Sequence, residues 1–328
     1  MCTAVSVILK DHYFGRNLDL EYHYNEEVVI TPRSYPYFFR ALSALENHYA
    51  IIGIATVIDN YPLYYDAVNE HGLAIAGLNF PGNAVYRNKM DNCTNVTPFE
   101  LIPYILCQCK NVSQARQLLR NINLYNEPFQ KDLPLTPLHW IISDSNSSIV
   151  VEPLKEGLKI YENKIGVLSN NPPFDYHQYN IANYMTLSSS VPENSISGDV
   201  EFIPYSRGMA AIGLPGDLSS ASRFVRAAFV KLNSVQFDTE EENVEQFFHI
   251  LSSVEQQAGC VRLKDGNVRT VYSGCCNTNT GVYYYKTYLN SRITAVHMHK
   301  EDLNATQLKR FAMRFHPDIL IEKQNKRM

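Results

Sequence analysis

A cysteine in second position can do chemistry that a cysteine elsewhere in a chain cannot. Cys2 is small enough to permit removal of Met1, and the chain would then begin with a thiol and a free α-amine on one residue. The unperturbed amine has a pKa of about 7.7–8.0 and the thiol about 8.5. The amine can therefore take the thiol proton directly or through one water. Nucleophile and base then share a residue, and no Ser-His-Asp arrangement is needed. Most chains that start Met-Cys are not enzymes of this kind, so the reading depends on what else stands near Cys2.

Four further groups could complete such a site. Gly15-Arg16-Asn17-Leu18-Asp19 ends a strand that pairs back on the N-terminal strand, which brings Arg16 and Asp19 beside Cys2. An arginine there favours the thiolate, and a carboxylate can hold the amine. The alternative is a surface ion pair after a strand. Asn79 in Gly77-Leu78-Asn79-Phe80 ends an apolar run, and Asn170-Asn171-Pro172-Pro173 follows another. An asparagine at a strand end can donate its amide N–H to an oxyanion, as amide hydrolysis requires. The alternative there is a turn, which Asn-Pro also signals. Arg223 falls in the first turn of a predicted helix, where the macrodipole disfavours a cation, so another role is expected. Arg226, one turn on, reads equally well as a solvated charge.

The elements that must position these residues are mostly strands. Residues 3–9 and 13–17 read as a hairpin turning at Lys10-Asp11-His12. Residues 27–31, 50–58 and 73–78 are further strands, with a turn at 69–72. Residues 138–143, 148–152, 158–161 and 165–168 are spaced as a meander. Strands return at 268–272, 281–285 and 292–296. Thr97-Pro98-Phe99-Glu100 opens a helix running to about Cys107, since Thr97 and Glu100 form a capping box and Pro98 suits the first turn. Residues 113–120, 220–232 and 241–254 show helical periodicity. The tail from 323 to 328 is polar and expected to fray. Strands, two helices, strands, two helices and strands fit two sheets between helical layers, as one α+β domain over residues 1–328.

Composition narrows the class. Hydrophobic residues make up 45% and charged residues 19% of 328, which is ordinary for a globular chain. A net charge of -4 leaves no basic footprint for nucleic acid. No run reaches the ~18 apolar residues of a membrane span. The start lacks a basic region and a long apolar stretch, so a cytoplasmic protein is expected. Seven cysteines argue against a disulfide framework. Neither Cys107-Gln108-Cys109 nor Cys275-Cys276 has zinc spacing, and His297-Met298-His299 reads as a surface or core pair on a strand. No metal or cofactor is expected.

Taken together these residues resemble the choloylglycine hydrolase family, which contains bile salt hydrolases and penicillin V acylases. The likeness runs through Met1-Cys2-Thr3, Gly15 to Asp19, Asn60-Tyr61-Pro62-Leu63-Tyr64, Ala76 to Phe80, Leu138-His139-Trp140, Ser169-Asn170-Asn171-Pro172, Gly213-Leu214-Pro215-Gly216-Asp217 and Ser222-Arg223-Phe224. It implies the four-layer αββα sandwich of the N-terminal-nucleophile (Ntn) hydrolases, with two antiparallel sheets and no cofactor. It implies Cys2 as nucleophile with its freed amine as base, and Arg16 and Asp19 holding and tuning them. Asn79 and Asn170 would serve the oxyanion and Arg223 would organise the cluster. Asn170 is preferred to Asn171 because the family pattern is Asn-x-Pro. Ser169 departs from that pattern, where Thr is commoner.

The context of Asn79 resembles the bile salt branch, whose substrates join a steroid acid to glycine or taurine. By the same likeness Leu18, Tyr24, Tyr65, Leu133 and Leu135 would wall an apolar trough; ordinary core or loop packing is the alternative. Residues 192–211 resemble an arm packed between subunits, which implies a homotetramer. An amine could replace water in the second step, giving acyl transfer as a side activity. The rival readings are an acylase of penicillin V or another N-acyl amide, and a non-catalytic steroid-binding protein.

Overall fold

Apolar residues occupy both faces of most strands, so each sheet must be covered twice. The computed structural model describes residues 1–264 and 266–322; the tail from 323 lies outside them. The first half runs β1 (Cys2–Leu9), β2 (Asp11–Leu20), β3 (Glu27–Thr31), β4 (Ile51–Ile58), β5 (Tyr61–Asn69), β6 (Ala74–Asn79), β7 (Thr94–Val96), α1 (Leu101–Leu106), α2 (Val112–Leu119) and β8 (Ile122–Leu124). It continues with β9 (Leu138–Ser143), β10 (Ser148–Leu154), β11 (Gly157–Glu162), β12 (Val167–Leu168) and α3 (Phe174–Asn180). The remainder is α4 (Ser220–Leu232), α5 (Glu240–Ser252), β13 (Val261–Leu263), β14 (Gly266–Asn277), β15 (Val282–Thr287), β16 (Thr294–His297) and β17 (Lys309–Ala312).

Two antiparallel sheets result. One has the order β12-β1-β2-β14-β15-β16, with β13 on β14, and the other β11-β10-β9-β6-β5-β4-β3-β17. The period of two sorts the second sheet's side chains cleanly. Val28, Ile30, Ile52, Ile54, Ala76 and Leu78 join the core shared with the first sheet, α4 and α5. Their neighbours Val29, Ile51, Ile75 and Trp140 join a second core with α1 and α2. The layers are therefore helix, sheet, sheet, helix, an α+β sandwich as expected.

The N-terminal hairpin is tighter than its sequence suggested. Only Lys10 forms the turn, with a left-handed φ of 66°, because Leu9 already pairs with Asp11. Gln236 Oε1 accepts the Lys10 N–H at 3.0 Å and the Asp238 carbonyl accepts its ammonium at 2.7 Å. So β2 runs unbroken to Leu20 and carries Arg16 and Asp19 within the strand. β5, α3 and β17 were not read from sequence. His297 ends β16, and Met298–Lys300 is a 3-10 turn rather than strand.

Gly15 lets β14 approach β2. A Cβ there would lie 1.9 Å from the Gly274 carbonyl oxygen and 2.9 Å from Cys275 Cα. Gly15→Ala is expected to lower stability in urea by roughly 3 kcal/mol, as strand overpacking does. Gly198→Ala, whose Cβ would meet nothing within 4 Å, should leave the midpoint unchanged. Equal midpoints for the two variants would contradict the close approach.

Candidate active site

Cys2 opens β1 opposite Leu18 of β2. Alternation along the hairpin decides what surrounds it. Cys2, Ala4, Arg16 and Leu18 face the second sheet, while Thr3, Asn17 and Asp19 face the helices. Arg16 crosses the interior and donates from Nη1 to the carbonyls of Tyr65 at 3.1 Å and Gly77 at 2.5 Å. Its Nη2 has no hydrogen-bond partner. Burial opposes the guanidinium charge, yet Cys2, Tyr272, Asp66 and Asp19 outweigh that and raise its pKa above the usual arginine value.

Asp19 pairs with Thr270 of β14, whose hydroxyl donates to Oδ1 at 2.6 Å. The other oxygen, Oδ2, is buried and unpartnered. The Met1 ammonium donates to the Asp19 carbonyl at 2.6 Å. Burial pushes the Asp19 carboxyl above its ordinary value, against the pull of Arg223, the N-terminus, Thr270 and Arg16.

Arg223 reaches in from α4, which Ser219 caps through the Ser222 N–H. It donates to the Cys2 carbonyl at 2.5 Å, Thr3 Oγ1 at 2.6 Å, Asn170 Oδ1 at 2.7 Å and the Leu218 carbonyl at 3.1 Å. Arg226 is not a free surface charge, since it donates to the carbonyls of Ser253, Pro215 and Asp217.

Asn170 follows β12. Its Oδ1 accepts the Cys2 N–H at 2.8 Å and its Nδ2 donates to the Asn79 carbonyl at 2.7 Å. Ser220 Oγ accepts the Asn170 N–H at 2.8 Å, and His177 Nε2 meets the Asn170 carbonyl at 3.0 Å. Asn171 instead donates to the Pro81 carbonyl. Asn79 ends β6 half-buried, and its carbonyl is the part that holds Asn170. Six residues from five stretches of sequence thus meet within one cluster: Cys2, Arg16, Asp19, Asn79, Asn170 and Arg223.

The expected wall residues are more dispersed. Leu18 is buried beside Cys2. Thr56 Oγ1 links the Tyr24 carbonyl at 3.0 Å with the Tyr65 hydroxyl at 2.9 Å, so these two are neighbours. Leu133 and Leu135 sit on the loop before β9, the first exposed and the second half-buried. Sequence reasoning missed Ser220, Thr270 and Asp66 as supports. Asp66 accepts the hydroxyls of Tyr272 at 2.6 Å and of Tyr283. Among the described residues, no group of three or more His, Cys, Asp or Glu is arranged to hold a metal, and no helix is long and apolar enough to cross a membrane.

Two stacked antiparallel sheets between helical layers, with a cysteine at the head of the first strand, are the architecture of an Ntn hydrolase. The sequence model of the linear amide C–N hydrolases, choloylglycine hydrolase family, matches residues 2–311, and the chain belongs to that family. A bile salt hydrolase/transferase of Lactiplantibacillus plantarum is 54% identical over 96% of this chain and 97% of its own. One of Clostridium perfringens is 37% identical over 95% and 96%. A solved variant of the conjugated bile acid hydrolase from Clostridium perfringens superposes with a TM-score of 0.90 at 35% identity, covering 98% of this chain and all 100% of that one. A penicillin V acylase from Agrobacterium tumefaciens shares the fold, with a TM-score of 0.73 at 19% identity over 95% of this chain and 91% of that one.

His177 gives the site a measurable pH signature. Burial lowers its pKa to about 4 from 6.5, and it stacks on Phe224 with centroids 4.8 Å apart. The unfolded chain takes up this proton near pH 6.5 and the folded chain only near 4. Unfolding therefore binds protons between those values, and stability falls as pH drops through the window. Burial raises the carboxyls of Asp19 and Asp66, which acts in the opposite direction, so the test is a difference. Relative to His177→Phe, the wild type should lose roughly 3 kcal/mol between pH 7 and 4, read from urea midpoints. A constant difference across that range would contradict the shift.

Proposed function

We propose that the protein is a bile salt hydrolase, with Cys2 as nucleophile once Met1 is removed. One observation carries this reading. Both main-chain ends of Cys2 are anchored, by Asn170 Oδ1 at 2.8 Å and by Arg223 at 2.5 Å, while the buried Asp19 Oδ2 beside it has no partner. That oxygen is proposed to receive an N–H of a freed α-ammonium. With Met1 attached the nitrogen of Cys2 is an amide and cannot act as a base.

The reaction is acyl transfer in two steps. The Cys2 amine takes the thiol proton, and Arg16 favours the resulting thiolate. The sulfur bonds to the carbonyl carbon of the conjugate. Asn79 donates to the tetrahedral oxyanion. The ammonium returns a proton to the leaving nitrogen, the C–N bond breaks, and glycine or taurine departs. Water then gives a proton to the amine and attacks the thioester, and the steroid acid leaves as the C–S bond breaks. An amino acid amine in place of water would re-conjugate the acid.

The names of the relatives support the steroid conjugate as substrate. Leu18, Tyr24, Tyr65, Leu133 and Leu135 are the proposed wall of its trough. The assembly is proposed to be a homotetramer, for which the exposed Ile196, Val200, Phe202, Ile203 and Tyr205 supply an apolar surface. The compartment is proposed to be the cytoplasm, where Cys2 would remain reduced.

Wild type should release glycine or taurine from bile salt conjugates, with a higher kcat/KM than for penicillin V. Its intact mass should lack Met1. Cys2→Ala should lose at least about 10³-fold in rate. Intact conjugates after incubation with processed enzyme would sink the reading, as would full turnover by Cys2→Ala.

Asn79→Ala separates the oxyanion role from binding. It is expected to lower kcat by about 10²–10³-fold with KM little changed. A rise in KM at constant kcat would place Asn79 in substrate binding instead.

A further inference from the structure

His139 takes no part in the mechanism above, yet it touches both strand ends that the mechanism needs. It lies fully buried in β9, opposite Leu78 of β6. Its ring stacks on Phe80, with centroids 4.2 Å apart and planes 6° from parallel. Phe80 directly follows Asn79. On the other edge, His139 Nε2 meets the Ser169 carbonyl at 2.9 Å, and Ser169 directly precedes Asn170. One imidazole therefore spans the two segments that carry the paired asparagines.

The proton count of the ring follows from its partners. A carbonyl only accepts, so Nε2 must carry hydrogen. Nδ1 faces Glu152 Oε1 at 2.9 Å. Glu152 is also buried, and its two oxygens accept the Phe174 N–H at 3.1 and 3.2 Å. Pro172 and Pro173 have no N–H to offer, so Phe174 is the first donor after the asparagines. A single proton bridges Nδ1 and Oε1, and the pair is neutral overall wherever that proton sits. Buried polar groups connected in this way hold geometry because breaking any one contact strands another.

We propose that His139, braced by Glu152, is a positioning residue that sets the spacing between Asn79 and Asn170. The proposal rests on the reading that these asparagines flank the reacting carbonyl. It differs from a role in general stability, because Cys2, although Asn170 accepts its N–H, keeps anchors that His139 does not touch: Arg223 on its carbonyl and on Thr3, and the β2 pairing opposite Leu18. Disturbing His139 should therefore damage oxyanion stabilisation and leave the thiol intact.

The test uses the full-length processed enzyme and three measurements. His139→Phe keeps the stack on Phe80 but leaves the buried Glu152 Oε1 without its imidazole partner, so it is paired with Glu152→Gln to preserve folding. This double variant is expected to lose about tenfold or more in kcat on the amide that wild type cleaves, as a displaced positioning contact does. KM and the rate of Cys2 alkylation by iodoacetamide should stay within about twofold. Glu152→Gln alone should retain activity, because its amide can donate to Nδ1 while its oxygen accepts the Phe174 N–H.

A crystal structure of the double variant supplies a readout independent of activity. The Asn170 Nδ2 to Asn79 carbonyl contact, 2.7 Å here, should open beyond hydrogen-bond reach. Unchanged kcat, a parallel fall in hydrolysis and alkylation, or an unchanged Asn170 to Asn79 contact would each overturn the proposal. A wild type that is alkylated normally but cleaves no bile salt conjugate would instead defeat the functional reading and leave the crystallographic comparison to decide the role of His139.

Discussion

Arg223 joins more of the site than any other side chain. A guanidinium taken out of water costs several kcal/mol unless its hydrogens are met. Here the acceptors come from three separate stretches: the Leu218 carbonyl just before α4, Cys2 and Thr3 on β1, and Asn170 after β12. Each segment is held in place because withdrawing it would strand a buried cation. Asn170 Oδ1 is shared between Arg223 and the Cys2 N–H, so the main chain of Cys2 is gripped on both sides. The thiol is left as the part of the residue without a structural duty.

The sandwich makes this grip possible through the pleat of a single hairpin. Arg16 and Asp19 are three residues apart and point to opposite faces of β2. One meets carbonyls of the facing sheet, the other meets Thr270 and the helix side. A slip of one residue would exchange the two faces and bury each charge against the wrong layer. The tight turn at Lys10 and the close packing of Gly15 on β14 both act against such a slip.

Much of this was legible in the sequence, for identifiable reasons. Strands at residues 27–31 and 138–143 are short apolar runs between turn signals, and the structure has them at those limits. Helix 220–232 is marked by its periodicity. β5 was not read, since Tyr61-Pro62 looks like punctuation and its polar residues alternate irregularly. Its Pro62 lies in the strand where β4 and β5 pair near their ends. The hairpin turn was read too long because nothing local reveals that Gln236 and Asp238 hold Lys10. The six residues of the cluster carried a signal for different reasons: Cys2 by its position, Arg16, Asp19, Asn79 and Asn170 as polar groups beside apolar strand runs, and Arg223 as a cation in the first turn of a helix. His139 stood only within a stretch of family likeness and Glu152 carried no signal, because a buried histidine and a buried glutamate acquire a role only when they are seen to face each other. Leu133 and Leu135 sit on a loop, where sequence pattern constrains position least.

The charges around Cys2 also explain why the position of the base matters. Arg16 and Arg223 keep their protons, and Asp19 and Asp66 are the carboxyls nearest to balancing them. In a processed chain, moving the thiol proton to the α-amine creates an anion and a cation on one residue. The net charge of the buried cluster does not change, so the step adds no uncompensated charge to a low-dielectric interior. With Met1 in place the same thiolate could form only by sending its proton to solvent. The cluster would then gain a negative charge with no new cation beside it, and the unpartnered Asp19 Oδ2 would add to the repulsion. Proximity of amine and thiol therefore does more than shorten a proton's path: it makes activation of the nucleophile a redistribution of charge within the site.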